Sequence, residues 1–207
     1  MSPQVLPADA PGAIDAAIAV IAAGGIVGVP TETVYGLAVL PTERPLEALV
    51  AAKGRDPGKG IALLVDGLEQ LTGVVHVPPA AVRLAERFWP GPLTLVLPIR
   101  AGLVLPELLT GGRTTLGVRV PDHAVPRTLA RRLGPLAVSS ANRTGRPDAL
   151  TAAELIEAVG ERARLVLDDG PVRGGRASSV VGVPEDGPVE VFREGALDRA
   201  TIESALA

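Results

Sequence analysis

Five short runs of mostly aliphatic residues limit how this chain can fold: IVGVP (26–30), IALLV (61–65), LTLVLPI (93–99), TTLGVRV (114–120) and LAV (136–138). Each is too short for a helix and bounded by turn-forming or polar residues, so each reads as a strand. Between them lie segments with helical periodicity. Residues 12–23 put Ile14, Ala17, Ile18 and Ile21 on one stripe that stops at Gly24-Gly25. Residues 43–54 stack Leu46, Leu49, Val50 and Lys53, and residues 78–91 open on prolines and break at Pro90-Gly91. A helix over 123–133 ends at Gly134, and Thr151 with Glu154 forms a capping box that opens another. ARLVLDDG, SSVVGV and VEVF supply three further strands, and DRATIESALA a closing helix. Helices and strands alternate first and strands then cluster, which predicts an α/β fold with a mixed sheet. With no repeat and no long linker, one domain is expected over residues 1–207.

Composition narrows the chemistry. The chain is 47% hydrophobic, yet holds only two Phe, one Tyr and one Trp, so its core is aliphatic. The absence of cysteine removes disulfides, thiolate catalysis and Cys-based zinc sites, and two histidines make a histidine-rich metal site unexpected. No apolar run approaches the roughly 18 residues a membrane helix needs, and MSPQVLPADAPG does not resemble a signal peptide, so the cytoplasm is expected. A net charge of −3 and a pI near 5.5 disfavour broad binding to nucleic acid while leaving room for a local basic groove.

The chain's two lysines, Lys53 and Lys59, fall in one Gly- and Pro-rich segment, KGRDPGKG (53–60), with Arg55 between them. The segment is one residue short of a nucleotide-binding P-loop, follows a helix rather than a strand, and has Gly60 where the magnesium-holding hydroxyl belongs. It reads either as a cationic cradle for phosphate oxygens or as a solvated helix end whose lysine favours the helix dipole. PTETVYGLA (30–38) places Thr31 and Thr33 just after a strand, suited to a small polar substrate or to a helix cap. VSSANRTGRP (138–147) also leaves a strand and carries Ser140 and Asn142, but lacks the G-x-S-x-G nucleophile elbow. Alternation in TTLGVRV sets Thr115, Gly117 and Arg119 on one face, where an arginine needs an acid, a carboxylate ligand or a phosphate. GGRASSVV offers a glycine turn, a cation and two serines; Asp168-Asp169 could hold magnesium or cap a turn, and His123 reads as a helix-start residue.

In order along the chain, GGIVGVPTETVYGLA, KGRDPGKGIALLV, FWPGPLTLVL, TTLGVRVPDH, SSANRTGRP and ASSVVGV…VFREGAL resemble the YrdC-like family of threonylcarbamoyl-AMP synthases, over about residues 12–197. The resemblance implies a twisted, mostly parallel α/β sheet with helices around a large concave basic cavity. It implies synthesis of threonylcarbamoyl-AMP and pyrophosphate from L-threonine, bicarbonate or CO2, and ATP with Mg2+. The product would pass to a tRNA threonylcarbamoyltransferase complex; an RNA-binding module of the same fold is the alternative. Carried over by position, Lys53 and Arg55 are the expected catalytic pair. Arg55, Lys59, Thr115, Ser140, Asn142 and Arg193 are expected at ATP, and Thr31, Thr33, Arg119, Val138 and Ser178 at threonine. No protein ligand for the metal is assigned. Asp56, Ser139, Ala177 and Gly182 depart from the family pattern, and Leu64 stands where some members have histidine.

Overall fold

The computed structural model describes residues 2–206. Its strands are β1 (Gln4–Pro7), β2 (Ile26–Val29), β3 (Gly36–Val39), β4 (Ala62–Leu64), β5 (Leu93–Pro98), β6 (Thr115–Arg119), β7 (Leu136–Ser140), β8 (Ala163–Asp168), β9 (Ser179–Gly182) and β10 (Glu190–Arg193). Its α-helices are α1 (Ala13–Ala22), α2 (Glu43–Lys53), α3 (Pro79–Phe88), α4 (Glu107–Thr110), α5 (Ala124–Leu133), α6 (Ala152–Val159) and α7 (Arg199–Ser204). All ten strands join one sheet in the order β1-β8-β2-β3-β7-β4-β6-β5-β9-β10.

Most elements lie where periodicity puts them, because aliphatic stripes and glycine stops coincide. Gly54 closes α2 at φ +58°, a left-handed conformation that suits a residue without Cβ. His123 caps α5, its Nδ1 accepting from Val125 N at 3.2 Å, and Thr151 Oγ1 caps α6 by accepting from Glu154 N at 3.1 Å. Gly170 N donates to Asp168 Oδ1 at 2.9 Å, so Asp168 caps a turn.

The expectation of a mostly parallel sheet is corrected. Four ladders are parallel and five are antiparallel. Two of the antiparallel ladders come from β3, which the sequence pattern conceals: β3 is four residues long, starts on glycine and directly follows a polar block. The PTET block is therefore a turn between β2 and β3, short enough to join antiparallel neighbours. Gly36 is required there, since a Cβ would lie 2.7 Å from Val138 Cγ1 on β7. The edge strand β1, which has no apolar alternation to reveal it, pairs with β8.

Side-chain alternation divides the sheet into two unequal faces. One face carries the larger core, including Leu37, Leu63, Leu95, Leu116, Val118 and Val181. On the other, Val27, Val29, Ala38 and Leu165 pack with Ala17 and Ile21 of α1 and Leu129 of α5. That second cover stops at the β7–β4 region. Beyond it, Ala62, Leu64, Thr94, Val96, Thr115 and Gly117 line a cavity.

Leu95 is fully buried on the core face directly between Thr94 and Val96 of that floor. Leu95→Ala should lower unfolding free energy by about 2–5 kcal/mol, measured by urea titration; a change below about 1 kcal/mol would contradict this core position.

Candidate functional site

The cavity encloses about 850 Å³ on the uncovered part of the sheet. A more open hollow of about 810 Å³, between the end of α1, α2 and the start of β8, is lined largely by Ala and Gly and holds none of the residues singled out from sequence. By contrast, Thr31, Thr33, Arg55, Lys59, Thr115, Arg119, Val138, Ser140, Ser178 and Arg193 all line the larger cavity. No Asp or Glu is among its lining residues.

One end is cationic. Arg55 Nε and Nη2 donate to Lys59 O at 3.1 Å and Gly60 O at 2.6 Å, so the 55–60 loop is wrapped around its own guanidinium. Asp56 Oδ1 accepts from Gly58 N at 2.9 Å, which holds the turn. Arg193 Nη2 donates to Ser178 O at 2.7 Å. Gly195 allows this approach, because a Cβ would sit 2.2 Å from Ala177 O. Neither arginine has an ion-pair partner among the described residues. Burial holds the Arg55 guanidinium below its ordinary pKa, with repulsion from Arg193 next and Asp56 partly opposing. Arg193 is lowered likewise, first by burial, with Asp148 opposing and Arg119 adding repulsion.

The other end is a neutralised corner. Arg119, only 6% exposed, donates from Nε to Gly91 O at 3.0 Å and from Nη2 to Glu32 Oε1 at 2.6 Å and Thr33 Oγ1 at 3.1 Å. Its Nη1 has no protein partner among the described residues. Thr31 Oγ1 donates to Val34 O at 2.6 Å, so the 2.9 Å contact between the two threonine hydroxyls must use the Thr33 proton. A directed chain runs Arg119 to Thr33 to Thr31 to Val34 O, leaving Thr33 able only to accept from a ligand. Glu32, not singled out from sequence, keeps Oε2 enclosed and unpartnered. Thr94, which pairs with Ser178 Oγ at 2.8 Å, was also missed; its alternation with Leu93 and Leu95 was the available signal.

Lys53 and Asn142 are not among the lining residues. Lys53 is 3% exposed, and its Nζ donates to Ser140 O and to Asn142 Oδ1, the latter at 2.8 Å. Asn142 Oδ1 also accepts from Ser140 Oγ at 2.8 Å, and Thr144 N donates to Lys53 O at 3.1 Å. Lys53 thus fastens the end of α2 to the 140–144 loop from behind the cavity wall. Its pKa is lowered from 10.5 to about 8, by burial first and Arg55 second, with Asp148 opposing.

Fold and cavity define an α/β protein whose open sheet face presents Arg55, Lys59 and Arg193 with no ion-pair partner among the described residues. The chain belongs to the Sua5/YciO/YrdC family, whose model, described as telomere recombination, matches residues 19–195. A threonylcarbamoyl-AMP synthase of Pyrococcus abyssi is 37% identical over 186 residues, covering 88% of this chain and 54% of that protein. One of Idiomarina loihiensis is 41% identical over 152 residues, covering 70% and 80%. The crystal structure of P. abyssi Sua5 complexed with L-threonine superposes with a TM-score of 0.86 at 36% identity, covering 93% of this chain and 56% of that one. The chain therefore spans about half the length of the Pyrococcus relative. No helix among the described residues is long and apolar enough to cross a membrane.

The lowered Lys53 pKa has a testable sign. Between about 8 and 10.5 the unfolded chain holds a proton on Lys53 that the folded chain has released, so Lys53 makes stability rise with pH across that window. Tyr35, raised to about 12 chiefly by burial, acts oppositely only above its ordinary value of 10.0. Denaturant unfolding between pH 8 and 9.5 should show a stability rise in the wild type that is smaller in Lys53→Met; equal slopes would refute the burial of a charged Lys53.

Proposed function

We propose that this chain condenses L-threonine, CO2 derived from bicarbonate, and ATP into threonylcarbamoyl-AMP and pyrophosphate. The observation that carries the reading is the convergence of Arg55, Lys59 and Arg193, without a carboxylate among the lining residues, in one cavity with the Arg119–Thr33 corner. Relatives that are threonylcarbamoyl-AMP synthases support the same activity.

The chemistry suits a site that positions and neutralises. The neutral amine of threonine forms an N–C bond to CO2 and releases a proton. An oxygen of the resulting carbamate attacks the α-phosphorus, and the bond to the pyrophosphate leaving group breaks. No step needs a protein nucleophile, so catalysis rests on orientation and on stabilising charge at the phosphates. Arg55, Lys59 and Arg193 face the triphosphate, with Thr115 and Ser140 along the nucleotide's path. Arg119 offers its free Nη1 to the threonine carboxylate, while Thr33 Oγ1 accepts from the amine or hydroxyl. Val138 and Ser178 complete the threonine surroundings. Lys53 and Asn142 act here as positioning residues. Magnesium enters as part of the MgATP substrate, held by phosphate oxygens, which agrees with a lining of cations and hydroxyls. The adenylate is a reactive mixed anhydride, so direct delivery to a tRNA threonylcarbamoyltransferase complex in the cytoplasm is the expected next step.

Pyrophosphate release should require threonine and bicarbonate together; release indifferent to threonine would overturn the assignment. Arg55→Ala should lower kcat/KM by roughly 10- to 100-fold, the scale of a charged hydrogen bond, with little change in melting temperature.

A further inference from the structure

Among the described residues Phe192 is the one exposed aromatic, at 55% exposure, in a chain with very few aromatics. It lies on the edge strand β10 and lines the cavity. In a regular strand Phe192 and Arg193 would point to opposite faces. The β9–β10 register shifts between Val191 and Arg193, and both Phe192 and Arg193 reach the same cavity. Bulges of this kind re-aim side chains beside functional sites.

The ring has a built seat. In the parallel β5–β9 ladder, Thr94 pairs with Val180 and Val96 with Gly182. Thr94, Val96 and Val180 line the cavity, so Gly182 occupies the fourth position of the same face. A Cβ on Gly182 would lie 2.4 Å from Phe192 Cζ and 2.6 Å from Cε2, so the distal end of the ring rests where any other residue would put its side chain. Val96, Val180 and Phe192 are apolar members of the same cavity lining as Arg55, Lys59 and Arg193.

We infer that Phe192 is a stacking platform for the nucleobase of the nucleotide, with Gly182 as its seat. The inference rests on the ATP reading above and adds the residue that recognises the base. A flat π-surface beside an anion-binding group fits a ligand that joins a planar heterocycle to phosphates, and sets purines above pyrimidines by stacking area.

The test separates base from phosphate by calorimetry, with ATP, CTP and inorganic tripolyphosphate titrated into the intact chain in magnesium buffer. Phe192→Ala and Phe192→Leu should each weaken ATP by roughly tenfold, weaken CTP less, and leave tripolyphosphate unchanged within about twofold. Phe192→Trp should restore ATP affinity, and its added fluorescence should respond to ATP but not to tripolyphosphate. Gly182→Val, which displaces the ring, should reproduce the Phe192→Ala pattern. Equal losses for ATP and tripolyphosphate, or full ATP affinity in Phe192→Leu, would overturn the stacking role. A wild-type chain that binds neither ATP nor tripolyphosphate would instead overturn the nucleotide reading on which it rests.

Discussion

Two mutually repelling arginines, neither with an ion-pair partner among the described residues, set the terms for the rest of this molecule. Arg55 and Arg193 repel one another, and each is fixed by backbone carbonyl oxygens rather than by a carboxylate. Carbonyls satisfy guanidinium N–H groups but leave the positive charge in place, so the cavity's field remains available to a ligand. Partial desolvation and repulsion between cations lower both guanidinium pKa values, with Asp56 opposing at Arg55 and Asp148 at Arg193. The 55–60 loop bends around its arginine, Asp56 holds that bend through Gly58, and Ser178 is pressed under Arg193 by the tight turn at Gly195. An anion with several oxygens is the group that relieves this arrangement.

The sheet makes room for such a ligand by leaving one region of its second face uncovered. α1 and α5 seal the face over β8, β2 and β3, where inward residues are aliphatic. Past β7 the same face bears Ala62, Thr94, Thr115 and Gly117, small or hydroxylated residues that form a floor instead of a core. On the reverse side Leu63, Leu95, Leu116 and Val118 keep the strands anchored. Stability and binding thus occupy opposite faces of the same strands, and alternation by single residues keeps them apart.

Much of this was readable in the residues, and what was hidden has physical causes. The aliphatic stripes and glycine stops gave nearly every helix, and the residues expected at the site converge except Lys53 and Asn142, which stand behind the wall. β3 escaped because four residues starting with glycine carry too little periodicity to stand out beside a polar turn. Glu32 escaped because its meaning lies in Arg119, far along the chain, and local pattern cannot report a long-range ion pair. Phe192 escaped for a different reason: its direction depends on a register shift that a simple alternating pattern would assign to the wrong face. Gly182, visible only as a departure from the family pattern, gains its meaning from the ring that rests on it.

The two ends of the cavity differ in charge for a reason that follows from Glu32. Its Oε1 neutralises Arg119 at close range, whereas Arg55, Lys59 and Arg193 have no such partner among the described residues. The resulting field is strong at one end and weak at the other. A zwitterionic amino acid gains little from a strong positive field, because its ammonium and carboxylate respond oppositely; a triphosphate gains a great deal. In the proposed arrangement the same gradient favours the triphosphate beside Arg55, Lys59 and Arg193 and the amino acid beside Arg119 and Thr33. The directed chain from Arg119 through Thr33 to Val34 O leaves that quiet end with an acceptor on Thr33, which suits the amino or hydroxyl protons of the amino acid. Glu32 thus gives the cavity its polarity, although it is not itself among the lining residues.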